Sequence, residues 1–140
     1  MTVDDLNNAI AMQLLHKFST KQPAKSFYNG GLSPSKLKQV QCHINEHLEE
    51  KILLEDLAQI AQLSQHHFAR AFKQSTGLSP HQYIIQTRII KAQQLLREQM
   101  DINEVALICG FSSYSHLHRH FKKHVGITPR QFSRNRQFFS

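Results

Sequence analysis

The sequence predicts an all-α fold in which one small helical unit occurs twice and a long helix joins the two copies. Three observations support this prediction: an internal repeat, apolar residues at helical spacing, and Ser-Pro or Thr-Pro dipeptides of the kind that begin helices. No stretch alternates polar and apolar residues for long enough to indicate a strand. A chain of 140 residues can form one domain or two very small subdomains.

The repeat is the most informative of these observations. Its first part comprises Leu54, Leu57, Ala58, Ala61, Leu63 and Ser64, which recur 48 residues later as Ile102, Val105, Ala106, Cys109, Phe111 and Ser112. Its second part comprises Phe68, Arg70, Phe72, Lys73, Gly77, Pro80, Gln82 and Tyr83, which recur 49 residues later as Leu117, Arg119, Phe121, Lys122, Gly126, Pro129, Gln131 and Phe132. Each copy predicts a short helix, a tight turn and a helix with a basic outer face. That arrangement places a helix on DNA.

Before the repeat, the sequence predicts an amphipathic helix and a linker. Apolar residues recur at helical spacing within residues 2–19, namely Val3, Leu6, Ile10, Leu14 and Phe18. Residues 20–31 contain Pro23, Asn29, Gly30 and Gly31 and are typical of a linker. We therefore assign residues 1–31 to an amphipathic helix plus linker, and residues 32–140 to the repeat-bearing domain.

Capping residues place seven helices within residues 32–140. Three helices open on a hydroxyl N-cap followed by proline at the first helical position: Ser33-Pro34, Ser79-Pro80 and Thr128-Pro129. Asp101 caps another helix, with Glu104 three residues on as in a capping box. Gly77 and Gly126 follow two helices where a left-handed residue is needed. The predicted helices cover about 34–50, 54–61, 65–76, 80–99, 102–109, 114–125 and 129–136.

The fourth predicted helix, over about residues 80–99, is a stiff linker. It carries apolar residues on more than one face: Tyr83, Ile84, Ile85, Ile89, Ile90, Leu95 and Leu96. A helix that is buried against both a first unit (about 34–78) and a second unit (about 101–136) explains this excess. We expect it to place the two basic helix faces on one side, roughly 34–36 Å apart, which is one turn of DNA.

Charge is strongly segregated along the chain. The formal net charge is +7 and the calculated pI is about 9.7. No Asp or Glu occurs from Leu57 through Arg97 or from Val105 through Ser140, although both stretches carry several Arg and Lys. A surface that faces a polyanion requires such segregation. The alternative is a generally solvated basic surface.

Helical rotation of about 100° per residue separates an inner from an outer face in the third and sixth helices. Phe68 and Phe72 point inward in one, and Leu117, Phe121 and His124 in the other. The predicted DNA-binding residues are Gln65, His66, Ala69, Arg70, Lys73, Tyr114, Ser115, His118, Arg119 and Lys122.

Side-chain chemistry assigns these residues different contacts. Arg70 and Arg119 are the candidates for guanine recognition, because arginine can bond O6 and N7 together. Lys73 and Lys122 suit phosphates, which orient a protein without specifying sequence. Ala69 offers only apolar contact. The remaining polar side chains can donate, accept or stack against thymine methyls, as expected of His66, Tyr114, Ser115 and His118.

The pattern A-x-x-C-G-F-S-x-x-S-x-L-x-R-x-F-K-K-x-x-G-I-T-P-x-Q-F, from Ala106 to Phe132, closely resembles the AraC/XylS family of bacterial transcription regulators. The likeness covers about 32–136, with Leu57 to Tyr83 as the first copy. It implies two homeodomain-like helix-turn-helix units whose recognition helices enter successive major grooves of double-stranded DNA. The sequence departs from the family pattern at Leu53, Gln62 and Leu117, where a capping residue, glycine and phenylalanine are usual.

The resemblance also implies partners and a setting. It implies transcription regulation, for instance by an activator, with RNA polymerase as a partner, in the bacterial cytoplasm and at the nucleoid when DNA is bound. In many members a sensor domain that binds an effector precedes the DNA-binding part, and its last helix and linker look like residues 1–31. The resemblance is therefore compatible with the C-terminal part of a longer regulator or with a short member that has an added helix. The target sequence, the effector and the choice between activation and repression stay open.

Other classes of function fit the sequence less well. His116, His120 and His124 are spaced for metal chelation, but no cysteine or carboxylate completes a site, and we expect neither metal nor cofactor. No phosphate loop, paired carboxylates or nucleophile elbow indicates an enzyme, and Cys42 beside His43 or His47 is not organised for catalysis. No apolar run approaches the ~18 residues of a membrane span. A protein-interaction module, such as an adaptor or anti-activator, is the alternative to a DNA binder.

We predict that residues 1–31 are dispensable for DNA binding but needed for regulation. The apolar stripe of their helix requires a cover, which the family resemblance implies to be a sensor domain or a second subunit in an intact regulator. In this chain alone we expect the helix to pack on the DNA-binding domain, to self-associate or to be poorly ordered. Any self-association should be weak, since one short helix buries little area. Deletion of Met1–Gly31 should leave DNA affinity unchanged and remove a dimer or an effector response, as measured by sizing and DNA titration. Loss of folding or of intrinsic affinity would assign the segment to the DNA-binding domain itself.

Overall fold

The computed structural model describes residues 30–135, which form seven helices and no strand. The helices are α1 (Pro34–Glu46), α2 (Leu54–Ala61), α3 (Gln65–Thr76), α4 (Pro80–Arg97), α5 (Ile102–Ile108), α6 (Tyr114–Val125) and α7 (Pro129–Asn135). The predicted all-α class is confirmed. The helix predicted within residues 2–19 and the end of the chain after Asn135 lie outside the described residues.

The described residues divide into two compact units. The first contains residues 30–46 and 53–83, and hence α1, α2, α3 and the first residues of α4. The second contains residues 47–52 and 84–135, and hence the rest of α4 with α5, α6 and α7. Residues 47–52, which connect α1 to α2, therefore belong to the second unit, although both helices belong to the first. Each unit has a short helix, a turn and a longer basic helix in the order that the repeat predicts.

The proline-opened helices start as predicted, and two of them form full capping boxes. Ser79 Oγ accepts from Gln82 N–H at 3.2 Å, while Gln82 Oε1 accepts from Ser79 N–H. Thr128 and Gln131 repeat both bonds in the second unit. The recurrence of Ser/Thr-Pro-x-Gln thus has a structural cause, because two backbone donors at each helix start are satisfied reciprocally.

The turn inside each unit is the same backbone motif. In the first unit Leu63 N–H donates to Ala58 O and Gln62 N–H to Gln59 O; in the second, Phe111 N–H donates to Ala106 O and Gly110 N–H to Leu107 O. Both are Schellman endings, which need one residue in the left-handed region. That residue is Gln62 in one copy, with φ 60°, and Gly110 in the other, with φ 87°.

Two helices end at least two residues earlier than predicted, and α5 ends one residue earlier, at Ile108. We predicted α1 to reach about residue 50, but it ends at Glu46, because Leu48 is buried in the second unit and Arg88 Nη2 donates to Glu50 O at 2.9 Å. We predicted α4 to reach about residue 99, but it ends at Arg97, because Gln99 turns the chain with φ 68° and Met100 N–H donates to Leu95 O. Tertiary contact and a left-handed residue override helical propensity at these two ends.

Gly110 is required by close approach as well as by its backbone angle. A Cβ there would collide with Leu48 O and lie 2.8 Å from Arg88 Nε. Gly126 has a similar φ of 95° but nothing within 4 Å of such a Cβ. The two glycines therefore separate the cost of the left-handed backbone from the cost of a steric collision.

We predict that Gly126→Ala destabilises the protein by about 1–2 kcal/mol, the cost of an L-residue in the left-handed region. Gly110→Ala should cost at least roughly 1 kcal/mol more, because Leu48 and Arg88 must also move. Chemical denaturation of both variants measures the difference. Equal losses of unfolding free energy would contradict the close contact at Gly110.

Candidate nucleic-acid interface

The inner face of α3 is set by two phenylalanines one turn apart. Phe68 and Phe72 are 0% exposed, and their ring centroids lie 5.5 Å apart. The edge of Tyr83 packs against Phe72 at 5.2 Å within the same unit. Ser64 caps the helix by accepting from His67 N–H. These contacts fix the rotation of α3 about its axis, and hence the residues that face away from the core.

The outer face of α3 carries the predicted strip. Gln65, His66, Arg70 and Lys73 are exposed, and Ala69 is half-buried. Arg70 and Lys73 lie three residues apart on one side of the helix, so their side chains are neighbours on its surface. None of these five side chains is fully buried in the apolar core of the first unit.

The inner face of α6 belongs to a continuous apolar core in the second unit. Leu117 and Phe121 are 0% exposed and pack within a cluster formed by Ile85, Ile89, Ala92, Leu96, Val105, Ala106, Cys109 and Phe111. Phe132 of α7 packs edge-on against Phe121 at 5.4 Å. Ser113 caps α6 by accepting from His116 N–H at 3.2 Å.

The outer face of α6 carries the second predicted strip. Ser115, Arg119 and Lys122 are exposed, and Tyr114 and His118 are half-buried. The Tyr114 and His118 rings lie one helical turn apart with centroids at 5.8 Å. The structure therefore presents both predicted sets on the side opposite the buried face of their own helix.

His124 was wrongly predicted to point inward. It is exposed at the end of α6, although helical rotation places it near the buried strip. The core at that end is filled by Val125 and Phe132 instead. A helical wheel gives the direction of a side chain but not how far the facing layer extends along the helix.

The sequence reasoning missed two features beside the α6 strip. His120 stacks on Phe111 and His116 makes a T-shaped contact with it, with 4.8 Å between the two imidazole centroids. His116 Nδ1 lies 3.2 Å from Ser112 Oγ. The guanidinium of Arg130, in α7, lies over the Tyr114 ring at 5.3 Å. Helical spacing places the two histidines on one side of α6 but does not predict their packing on Phe111, and the Arg130 contact joins two helices. Among residues 30–135, no three His, Cys, Asp or Glu side chains come together as a metal site.

The turn that leads into α6 is supported by a half-buried cation. Arg88 donates to Glu50 O, while its Nε is buried without a hydrogen-bond partner. Burial lowers the pKa of Arg88, and the neighbouring Cys109 opposes this shift. Cys109 is 0% exposed, and burial raises the pKa of its thiol to about 12. Cys109 is thus the small buried residue that the repeat predicts, in the position of Ala61.

Comparison with known proteins places this geometry in a family. A family model of a helix-turn-helix domain matches residues 57–135. The chain is 38% identical over 98 residues to LumQ of Photobacterium leiognathi, a probable transcriptional regulator; the match covers 69% of this chain and 38% of LumQ. It is 34% identical over 103 residues to the transcriptional activator RhaS of Salmonella schwarzengrund, covering 73% of this chain and 37% of RhaS.

Solved structures agree with these sequence matches. An AraC-type regulator from Chromobacterium violaceum superposes with a TM-score of 0.69 at 32% identity, covering 74% of this chain and 94% of that one. The DNA-binding domain of AdpA, solved in complex with a target DNA, superposes with a TM-score of 0.66 at 36% identity, covering 70% of this chain and 89% of that domain.

The chain belongs to the AraC/XylS family of helix-turn-helix transcription regulators. It spans less than half the length of the relatives LumQ and RhaS. Among the described residues, no helix is long and apolar enough to cross a membrane.

We predict that the two cysteines differ sharply in reactivity. Cys42 is exposed and should react with a thiol reagent in the folded protein, whereas buried Cys109 should react only on unfolding. The raised pKa of Cys109 also makes stability fall as pH rises from about 9 toward 12, since the unfolded thiol loses its proton first.

Mass spectrometry after labelling and alkaline denaturation titrations measure the two effects. Cys109→Ala, which places the residue of Ala61 at the matching position, is the matched control. Its free energy of unfolding should lack the part of the decrease at high pH that comes from the Cys109 thiol. Equal labelling of both thiols in the native protein would contradict the buried position of Cys109.

Proposed function

We propose that this chain is a sequence-specific DNA-binding regulator that inserts α3 and α6 into successive major grooves. The observation that carries the proposal is the matching outer strip of the two helices, with an exposed arginine and lysine opposite a buried apolar face in each. An α-helix fits the major groove, where base pairs are distinguishable by their hydrogen-bonding groups. The DNA complex of the AdpA domain supports the same use of this fold.

The two strips divide base recognition from orientation. Arg70 and Arg119 are proposed to bond guanine, since a guanidinium presents two parallel donors to O6 and N7. Lys73 and Lys122 are proposed to bind phosphates and set the register. Gln65 and Tyr114 occupy the first helical residue of α3 and α6, where side chains enter a groove first. His66, Ala69, Ser115 and His118 complete the contacts by hydrogen bonding or apolar packing.

Residues 32–140 are proposed to be the DNA-binding part of a longer regulator without catalytic activity. The partial coverage of LumQ and RhaS supports a preceding effector or sensor domain, with residues 1–31 as its final helix and linker. The activator function in the name of RhaS supports transcription activation. RNA polymerase is the partner that we propose for it. The proposed location is the bacterial cytoplasm, at the nucleoid when bound to DNA, with weak dimerisation through the N-terminal helix.

We predict different effects for the arginine and the lysine of α6. Arg119→Ala should lose about 1–3 kcal/mol of binding to the target and relax the preference at one base pair, because a base contact is removed. Lys122→Ala should weaken binding to all sequences alike and reduce the salt dependence of affinity, because a phosphate contact is removed. Titrations against a duplex selected from a random pool, and against its scrambled form, measure both.

Salt dependence separates the DNA-binding proposal from an adaptor with the same fold. A DNA binder loses affinity for the selected duplex steeply as salt rises. Equal losses for Arg119→Ala on both duplexes would remove its role in base recognition. A wild-type chain that binds neither duplex at low salt would contradict the function itself.

A further inference from the structure

The contact between Arg130 and Tyr114 joins the proposed recognition helix to the helix that follows it. The Arg130 guanidinium carbon lies 5.3 Å from the centre of the Tyr114 ring, close enough for a cation–π contact. Tyr114 is the first residue of α6, and Arg130 is the second residue of α7. The pair therefore sits at the end of α6 that enters a major groove under the proposed function.

The pair distinguishes the second unit from the first. Tyr114 occupies the repeat position of Gln65, and Arg130 occupies that of His81. Two of the positions at which the copies differ are thus in contact with each other in the second unit. An aromatic ring beside the basic strip and a cation over that ring form a combination that the first copy lacks.

The Tyr114 ring is held between two neighbours. Arg130 lies over the ring, and His118 packs against it one helical turn along α6 at 5.8 Å. A ring that already contacts two neighbours loses less conformational entropy when a ligand binds it. The position of Tyr114 is therefore pre-organised for DNA binding. Tyr114 is accordingly half-buried although it begins the helix.

Arg130 can keep hydrogen-bond donors available while its guanidinium carbon lies over the ring. A guanidinium that stacks on a ring uses its face, and its N–H donors lie along its edge. Arg130 is exposed and makes no ion pair with a described residue, and no Asp or Glu occurs from Val105 through Ser140. A phosphate oxygen of the groove wall is a ligand of matching charge and geometry.

We propose that Arg130 is a further DNA-contacting residue of the second unit, which binds a backbone phosphate through its guanidinium edge and positions Tyr114 in the major groove through its face. The inference rests on the proposed function of α6. Arg130, which lies outside the two recognition helices, would thus contribute both to the orientation of the protein on DNA and to its sequence specificity.

Binding titrations of the full chain over a range of salt test the proposal, with a duplex selected from a random pool by the wild-type chain and its scrambled form. Arg130→Ala should make the slope of log K against log salt less negative by about 0.9 on both duplexes, the value for one phosphate. It should also reduce the preference for the selected duplex, because Arg130 no longer positions the Tyr114 ring. Arg130→Lys should restore the slope but not the preference, since an ammonium lacks the planar stack.

Two further variants isolate the contributions. Tyr114→Leu should lose the preference and keep the salt slope. Adding Arg130→Ala to it should make the slope less negative with no further loss of preference. Arg134→Ala, which removes an exposed arginine of the same helix, should keep the wild-type preference. Thermal unfolding of each variant confirms that the fold is retained.

The outcomes also distinguish this inference from the function on which it rests. If Arg130→Ala keeps either the wild-type slope or the wild-type preference, while Arg119→Ala loses its preference, the role of Arg130 is overturned and the function stands. If the wild-type chain does not discriminate the selected from the scrambled duplex, the proposed function fails.

Discussion

The burial of two apolar side chains one turn apart in each recognition helix is the constraint on which the rest depends. Phe68 and Phe72 in α3, and Leu117 and Phe121 in α6, are all 0% exposed. Full burial of one such side chain contributes about 1.5–3 kcal/mol. Rotating either helix by one residue toward its C-terminal neighbours would expose these side chains and bury Lys73 or Lys122 in their place. The apolar core therefore determines which residues can face DNA, although none of its own members would contact it.

The two units reach one architecture by different local means. The turn is made by strained Gln62 in the first unit and by Gly110 in the second, where Leu48 and Arg88 leave no room for a side chain. An L-residue in the left-handed region costs about 1–2 kcal/mol, so the first turn is held by its surroundings rather than by its own preference. The caps differ likewise, because Asp101 accepts from Asn103 N–H whereas Leu53 makes no side-chain cap.

Local patterns predicted most of this fold from the sequence. The hydroxyl-proline pairs located helix starts, and helical spacing identified the buried sides of α3 and α6, because both signals depend on neighbours within a few residues. The early ends of α1 and α4, the exposure of His124 and the contact of Arg130 with Tyr114 were not predicted. Each depends on side chains distant in sequence or on how far the core extends, which no local pattern records.

The candidate interface divides in the same way. The exposure of Arg70, Lys73, Arg119 and Lys122 follows from the periodicity of single helices. Which bases these side chains contact depends on the docking of each helix in its groove, and periodicity carries no information about that docking. The segregation of charge bears on both exposure and docking, since a basic surface is needed to bind DNA whatever the docking geometry.

We propose that two helices of this chain contact DNA in two successive major grooves. Hydroxyl-radical footprinting combined with guanine-N7 methylation interference on the selected duplex tests this claim most directly. Two helices in successive grooves predict two blocks of interference on one face of the DNA, about 10–10.5 base pairs apart. A single block, or protection of the backbone without any interference at guanine N7, would contradict the account.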